Sequence, residues 1–377
     1  MSHNIPRTQT AAVVVSPDAP ILVKDDYPVK QPGELAPGEC LVKLHCTGVC
    51  HTDLHARKSD WPFAHKLPLI GGHEGVGQVV AIGAYTNDSP VKIGDRVGIK
   101  WLADSCLQCE QCRKGLETEY APHASYHAGC AKAKLSGYTV DGTFSQYVVS
   151  YVNHVTPIPE NLSSQEAASF LCAGVTVYRA LKYSRTQPGD WIVLPGAGGG
   201  LGHLAIQYAV HAFGLRVVAS IPQLYRRLDT GAEKRELCLE LGAEKWVDFR
   251  ETKDLVKDIK NAAGGDGPHA ALVSAANSSA YEQAIDYLRP GGSLLVVGLP
   301  GQAQIGASIF WTVVKSINII GSYVGNRQDA REALDIASRG KIKCHFALKP
   351  LSALSEIYEG LEKGTVVGRV VLNIDLE

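Results

Sequence analysis

The chain of 377 residues lacks an excess of charge of either sign: 37 Lys and Arg stand against 38 Asp and Glu, for a formal net charge of −1. It also lacks any run rich in Lys and Arg, so the electrostatic footprint of a nucleic-acid-binding protein is missing. Long hydrophobic runs are absent too. The apolar stretches are strand-length and broken by Gly, Pro or Lys, and none approaches the roughly 18 residues needed to span a bilayer. The opening residues, Met1 to Pro6, have neither the charged nor the apolar segment of a secretory leader. A cytoplasmic protein is therefore expected. Apolar residues make up 45% of the chain, and the length allows two domains with substantial cores.

Ten cysteines are present, and without an export signal clustered cysteines read as metal ligands rather than a disulfide scaffold. Cys40, Cys46, Cys238 and Cys344 stand singly in apolar or helical surroundings and read as small buried hydrophobes. The others carry a pattern. Cys50 lies in the stretch Gly48 to His55, His73 in Gly72-His73-Glu74, and Cys172 in Leu171 to Gly174. Two thiolates and one imidazole leave one position open on a tetrahedral zinc, and an open position marks a catalytic site. That trio is a known ligand set of alcohol dehydrogenases, so the step is a match rather than an independent deduction. Cys106, Cys109, Cys112 and Cys130 form a second cluster.

Up to about residue 173 the chain reads as short strands with Gly and Pro turns, among them 10–15, 40–45 and 75–80, which implies a mostly antiparallel β domain. From about 174 strands alternate with helices. Strands at 191–194, 216–219, 245–249, 269–273, 293–297 and 317–320, with helices at 200–214 and 233–241, imply a doubly wound parallel sheet, an α/β fold. Residues 323–377, with a helix near 329–338 and a strand at 368–373, are expected to return to the first domain. The domains are thus set at 1–173, 174–322 and 323–377.

The turn after the strand 191–194 runs Gly196, Ala197, Gly198, Gly199, Gly200, Leu201, Gly202. Glycines there let the backbone approach a pyrophosphate, and the following helix points its first N–H groups at it. The match to G-x-G-x-x-G is imperfect, because counting back from Gly202 puts Ala197 in the first glycine position. An acidic residue to bind the ribose of NAD is expected about 20 residues on, near Pro222. The first one is Asp229, roughly eight positions late.

These strings, with Gly98 to Leu102, Leu135 to Phe144 and Gly321 to Arg327, resemble the zinc-dependent, medium-chain alcohol dehydrogenases of the yeast and fungal type, from about Pro6 to Val371. The resemblance implies a GroES-like catalytic domain with a zinc lobe, a Rossmann coenzyme domain, and hydride transfer between a small primary alcohol and NAD. By this resemblance Cys50, His73 and Cys172 match the catalytic zinc ligands. Glu74 matches the carboxylate behind the metal, and Asp53 the one that orients the ligating imidazole. Thr52 takes the alcohol proton and His55 passes it on to solvent. His51 and Arg369 match cations flanking the pyrophosphate, and Asp229 and Lys234 the groups on the adenosine ribose. Thr176 and Leu201 pack on the nicotinamide, and Val297 joins Gly196, Gly199, Gly200 and Gly202 among the cofactor-binding residues. Trp61 and Trp101 match residues that narrow the substrate pocket. A homotetramer is implied as well.

Two departures stand out. Cys106, Cys109 and Cys112 match a structural zinc lobe whose fourth cysteine should follow eight residues on, where Tyr120 stands. Reading backward from Leu135, Cys130 holds that place, so the loop has gained about ten residues near 119–129, with His123 and His127 as rival ligands. A second gain of about eight residues falls at 220–227. His3, His45, His65, His154, His203, His211, His269 and His345 carry no pattern and read as ordinary core or surface residues. Competing readings are an inactive zinc and dinucleotide binder, or a zinc dehydrogenase for bulkier or glutathione-linked alcohols.

Overall fold

The computed structural model describes residues 4–118, 129–221, 231–274, 278–299 and 303–374. They divide into two compact units. One comprises Met1–Cys172, Gly325–Ser338 and Phe346–Glu377, the other Ala173–Val324 and Arg339–His345.

The first unit is built around the strand Glu39–Val49, whose side chains are buried almost throughout because both faces of the sheet are covered. Gly75–Ile82 pairs antiparallel along one edge of that strand. Tyr147–Tyr151 and Arg369–Asn373 share the other edge, one at each end. Register then builds the site. Val49 faces Val370 and Thr47 faces Gly75, so Cys50, Glu74 and Arg369 all emerge at the same end of the sheet. A three-stranded sheet of Leu22–Pro28, Thr8–Val14 and Leu69–Ile70 and a two-stranded one of Leu102–Asp104 and Lys134–Leu135 also belong to this unit. Its core joins Ala11, Val42, Leu44, Val79, Phe144 and Leu372.

Among the described residues, the second unit carries six parallel strands in the order Lys245–Asp248, Arg216–Ile221, Trp191–Pro195, Ala270–Val273, Ser293–Val296 and Asn318–Gly321. The earliest strand is third from one edge, the doubly wound order of a dinucleotide-binding sheet. Trp191–Pro195 and Ala270–Val273 are buried along their whole length, as strands covered on both faces must be.

The division falls two residues beyond the expected boundary at 322/323. Residues up to Val324, and the short segment Arg339–His345, group with the second unit. The physical reason for the segment is a set of side-chain bonds to its backbone. Gln207 binds both the N–H and the C=O of Lys343, and His203 accepts from His345 N–H.

Candidate functional site

Cys50 follows the long strand and is the N-cap of the helix His51–Lys58. Asp53, in the helix's first turn, accepts a hydrogen bond from Cys50 N–H at 2.8 Å, while His55, Arg57 and Lys58 fill the last turn. Acid at the start and base at the end suit the helix dipole. Cys172 sits in a π-helical turn, Phe170–Gly174, a distortion found often at functional sites. His73 and Glu74 directly precede the strand Gly75–Ile82.

Those four residues converge. One ligand atom from each of Cys50, His73, Glu74 and Cys172 lies within 4.8 Å of the others, all buried. The sulfurs of Cys50 and Cys172 are 3.9 Å apart, close to the spacing of about 3.8 Å that two thiolates at 2.3 Å from a tetrahedral zinc require. The Cys50 thiol is held well below its ordinary range, first by the hydrogen bond from Cys172 and then, against burial, by His73 and Arg369. Sharing its proton with that thiolate raises Cys172 in turn.

The imidazole of His73 is aimed by Asp53. Oδ2 of Asp53 holds Cys50 N–H and Oδ1 lies 2.8 Å from His73 Nδ1, so Nδ1 carries the proton. In the neutral ring that leaves a lone pair on Nε2, which is buried and has no hydrogen-bond partner. A carboxylate fixing the tautomer of a ligating imidazole is the usual support of a metal-bound histidine. The residues fit zinc.

Glu74 is fully buried and pairs through Oε1 with Arg369, while its Oε2 stays without a partner. Burial pushes the carboxyl up to about 7 against the pull of the guanidinium. Gly48 makes room for it, since a Cβ there would lie 1.9 Å from Glu74 Oε2. Sequence reasoning set Arg369 on the cofactor and missed this contact; its Nε is buried and unpartnered.

Thr52 lies one residue beyond His51 on the same helix, and His51 is open to solvent. His55 Nδ1 is 2.8 Å from Asp60, and its ring stacks on Trp61 at 5.1 Å. Asp60 was not anticipated, because an exposed Asp five residues after a His carries no periodic signal. Trp101 packs edge-on against His73 at 5.1 Å and against Trp61 at 6.0 Å, so Trp101 borders the cluster and Trp61 stands behind it. Tyr138, also missed, touches both indoles and donates its hydroxyl to Phe63 O at 2.8 Å.

A second cluster gathers Cys106, Cys109, Cys112 and Cys130. Sulfur separations of 3.9 Å (Cys106 to Cys112) and 3.5 Å (Cys109 to Cys112) again suit four thiolates on zinc. Cys106 Sγ accepts from Cys109 N–H, and Cys130 Sγ from Cys106 N–H, each at 3.3 Å. Such N–H donors stabilise thiolate charge, and those of Gln108 and Cys109 pull the Cys106 thiol down to about 6. Cys130 is therefore brought to the other three. Tyr120, His123, His127 and Asp229 lie outside the described residues, as do all but the edges of both insertions.

In the second unit, Gly196 to Gly202 links the strand Trp191–Pro195 to the helix Gly202–His211. A side chain at Gly202 would lie 2.3 Å from Gly196 O, so this turn admits only glycine there. The aliphatic stem of Lys234 lies against Gly198, where a Cβ would meet it at 2.9 Å. Burial lowers the Lys234 ammonium, and Arg250 lowers it further. Thr176 is buried in the helix Val175–Lys182. Val297 follows the strand Ser293–Val296, also buried, and donates its N–H to Val273 O.

Comparison with known proteins identifies the family. The alcohol dehydrogenase GroES-like domain matches residues 36–160, and the zinc-binding dehydrogenase domain matches 200–339. An alcohol dehydrogenase of Schizosaccharomyces pombe is 46% identical over 371 residues, covering 98% of this chain and 99% of that protein. Alcohol dehydrogenase 1 of Neurospora crassa is also 46% identical, covering 98% of each chain. Among solved structures, the alcohol dehydrogenase of the archaeon Aeropyrum pernix superposes with a TM-score of 0.81 at 28% identity, over 97% of this chain and all of that one. The chain belongs to the zinc-dependent medium-chain alcohol dehydrogenases, in their fungal type.

Proposed function

We propose that the protein interconverts short primary alcohols and aldehydes by hydride transfer with NAD, using one catalytic and one structural zinc per chain. The observation that carries this reading is the convergence of Cys50, His73 and Cys172 with His73 Nε2 left bare. Zinc, when bound, supplies the Lewis acid that acidifies an alcohol hydroxyl near neutral pH, and nicotinamide supplies the hydride acceptor. Cys50, His73 and Cys172 hold the metal, and Glu74 stands beside it. Asp53 keeps the proton on His73 Nδ1. Thr52 accepts the alcohol proton through its hydroxyl. His55, a quarter exposed and held by Asp60, releases that proton to water. Trp61 and Trp101 favour short chains by their bulk. The four thiolates of the lobe hold the second ion.

For the dinucleotide, the turn Gly196 to Gly202 of the second unit cradles the pyrophosphate; His51 and Arg369, in the first unit, are the cations that the family resemblance assigns to a pyrophosphate. Asp229 and Lys234 take the adenosine ribose, and Thr176, Leu201 and Val297 line the nicotinamide. Support for NAD comes from the dinucleotide-type sheet and from a structural relative, the acetophenone reductase of Geotrichum candidum solved with NAD, at 26% identity and a TM-score of 0.81.

A homo-oligomer, tetrameric by family analogy, is part of this reading, as is a cytoplasmic location. No helix among the described residues is long and apolar enough to cross a membrane. In the helix Ile309–Val314 five large apolar side chains are exposed, Ile309 to 83%. The next strand, Asn318–Gly321, ends the sheet with its outer edge unpaired among the described residues. Two copies joined edge to edge about a two-fold axis would cover both features.

The deciding experiment pairs metal content per chain with an assay of NADH formation on ethanol. Two zinc ions and ethanol-dependent NADH are expected. Full zinc without NADH would select the inactive binder, and a preference for bulky or glutathione-linked alcohols would overturn the short-chain assignment.

A further inference from the structure

We infer that His203 and Gln207 are positioning residues for the cofactor, clamping the glycine turn to the short strap Lys343–His345; this rests on the dehydrogenase reading. Both side chains belong to the helix that follows the turn, one helical turn apart, and both are buried. His203 Nδ1 lies 3.0 Å from Gly199 O. A carbonyl only accepts, so Nδ1 bears the hydrogen. Nε2 is then an acceptor, and it receives His345 N–H at 3.3 Å. The His345 ring closes the contact edge-on, 5.9 Å away.

Gln207 completes the clamp. Its amide nitrogen donates to Lys343 O at 2.8 Å and to His203 O at 3.0 Å, while its oxygen accepts Lys343 N–H at 2.8 Å. The side-chain amide thus pairs with a peptide as a neighbouring strand would. Both of its N–H groups are used, so its orientation is unique.

Gly199 is where this acts on the cofactor. Its carbonyl receives both the backbone N–H of His203, at 3.1 Å, and the imidazole. Its own N–H closes the turn onto Gly196 O at 2.9 Å. The Gly199 peptide groups are thereby fixed, and the N–H groups of Gly200 and Leu201 have no backbone acceptor among the described residues. Those orphan donors are what a pyrophosphate uses. The strap also has a particular place in the chain: Arg339–His345 belongs to the second unit, whereas Gly325–Ser338 and Phe346–Glu377 belong to the first. The glycine turn is thus tied to the one late segment where the chain rejoins the coenzyme unit. A histidine that carries no pattern in the sequence acquires a role.

The test titrates NADH by fluorescence into the zinc-loaded full chain and into its His203→Leu, His203→Asn and Gln207→Leu variants. Two lost hydrogen bonds to buried groups predict about a five- to tenfold rise in the NADH Kd for His203→Leu. Zinc content should be unchanged, and kcat at saturating NAD should stay within about twofold, because only cofactor binding is touched. His203→Asn keeps a donor for Gly199 O but cannot reach His345 N–H, so its rise should be smaller. If His203→Leu fails to fold, His203→Asn and Gln207→Leu carry the same readout. Folded, zinc-loaded variants that bind NADH as tightly as the wild type overturn the clamp alone. A wild-type chain that takes up no NADH overturns the dehydrogenase reading and the clamp with it.

Discussion

Replacing Asp53 by Asn tests how the metal cluster is aimed. The wild-type carboxylate accepts two hydrogen bonds, from Cys50 N–H and from His73 Nδ1–H, both at 2.8 Å. An amide has only one acceptor. If its oxygen keeps Cys50 N–H, its NH2 faces His73 and drives the imidazole proton to Nε2, removing the lone pair meant for the metal. If its oxygen keeps His73, its NH2 meets the Cys50 N–H head on. Asp53 is 2% exposed and His73 0%, so water cannot repair either arrangement. A charge-assisted hydrogen bond between such groups contributes about 1.5–3 kcal/mol, which converts to about tenfold to a hundredfold in zinc affinity. The assay is competition for the catalytic zinc with a chromogenic chelator, reading the two sites separately by their release rates. Catalytic zinc should leave the variant at a chelator concentration that spares the wild type, while the four-cysteine site is unaffected. Equal retention at the catalytic site would refute the reasoning.

Other consequences are simpler to read. Cys172→Ala should abolish turnover and lose one zinc per chain by elemental analysis; full activity with full zinc would reject it as a ligand. Cys130→Ala should lose the other zinc and speed thermal inactivation, because three thiolates do not close a tetrahedral site; unchanged metal content would return the lobe to His123 or His127. Lys100 is buried and lowered to about 7, first by burial and then by Arg327, with Glu117 pulling the other way. Its depressed pKa means the unfolded chain binds the extra proton between about pH 7 and 10.5, so wild-type stability should gain on Lys100→Met as pH rises through that window. Tm profiles of the two that run parallel from pH 7 to 10 would contradict this.

Much of the architecture was legible because it rests on local pattern. Apolar strands alternating with helices gave the parallel sheet, and most expected elements fall within two or three residues of those observed, as with 216–219 against Arg216–Ile221. The two Cys and His clusters were legible because residues of that chemistry are scarce and their spacing is distinctive. Pairings set by sheet register were not. Arg369 reaches Glu74 across 295 residues through strand pairing, and neither neighbourhood announces the other. The strap escaped for another reason: Arg339–His345 is short, aperiodic, and held to its unit by side-chain bonds to backbone, which leave no mark on the strap's own sequence.

The central claim is that three side chains from separate segments hold one zinc with a coordination position free. Anomalous scattering at the zinc edge, measured from crystals of the protein, tests it most directly. Two peaks per chain are predicted, one at about 2.0–2.3 Å from Cys50 Sγ, Cys172 Sγ and His73 Nε2 and the other among the four lobe thiolates. A map with no peak at Cys50, His73 and Cys172 in zinc-replete protein would contradict it.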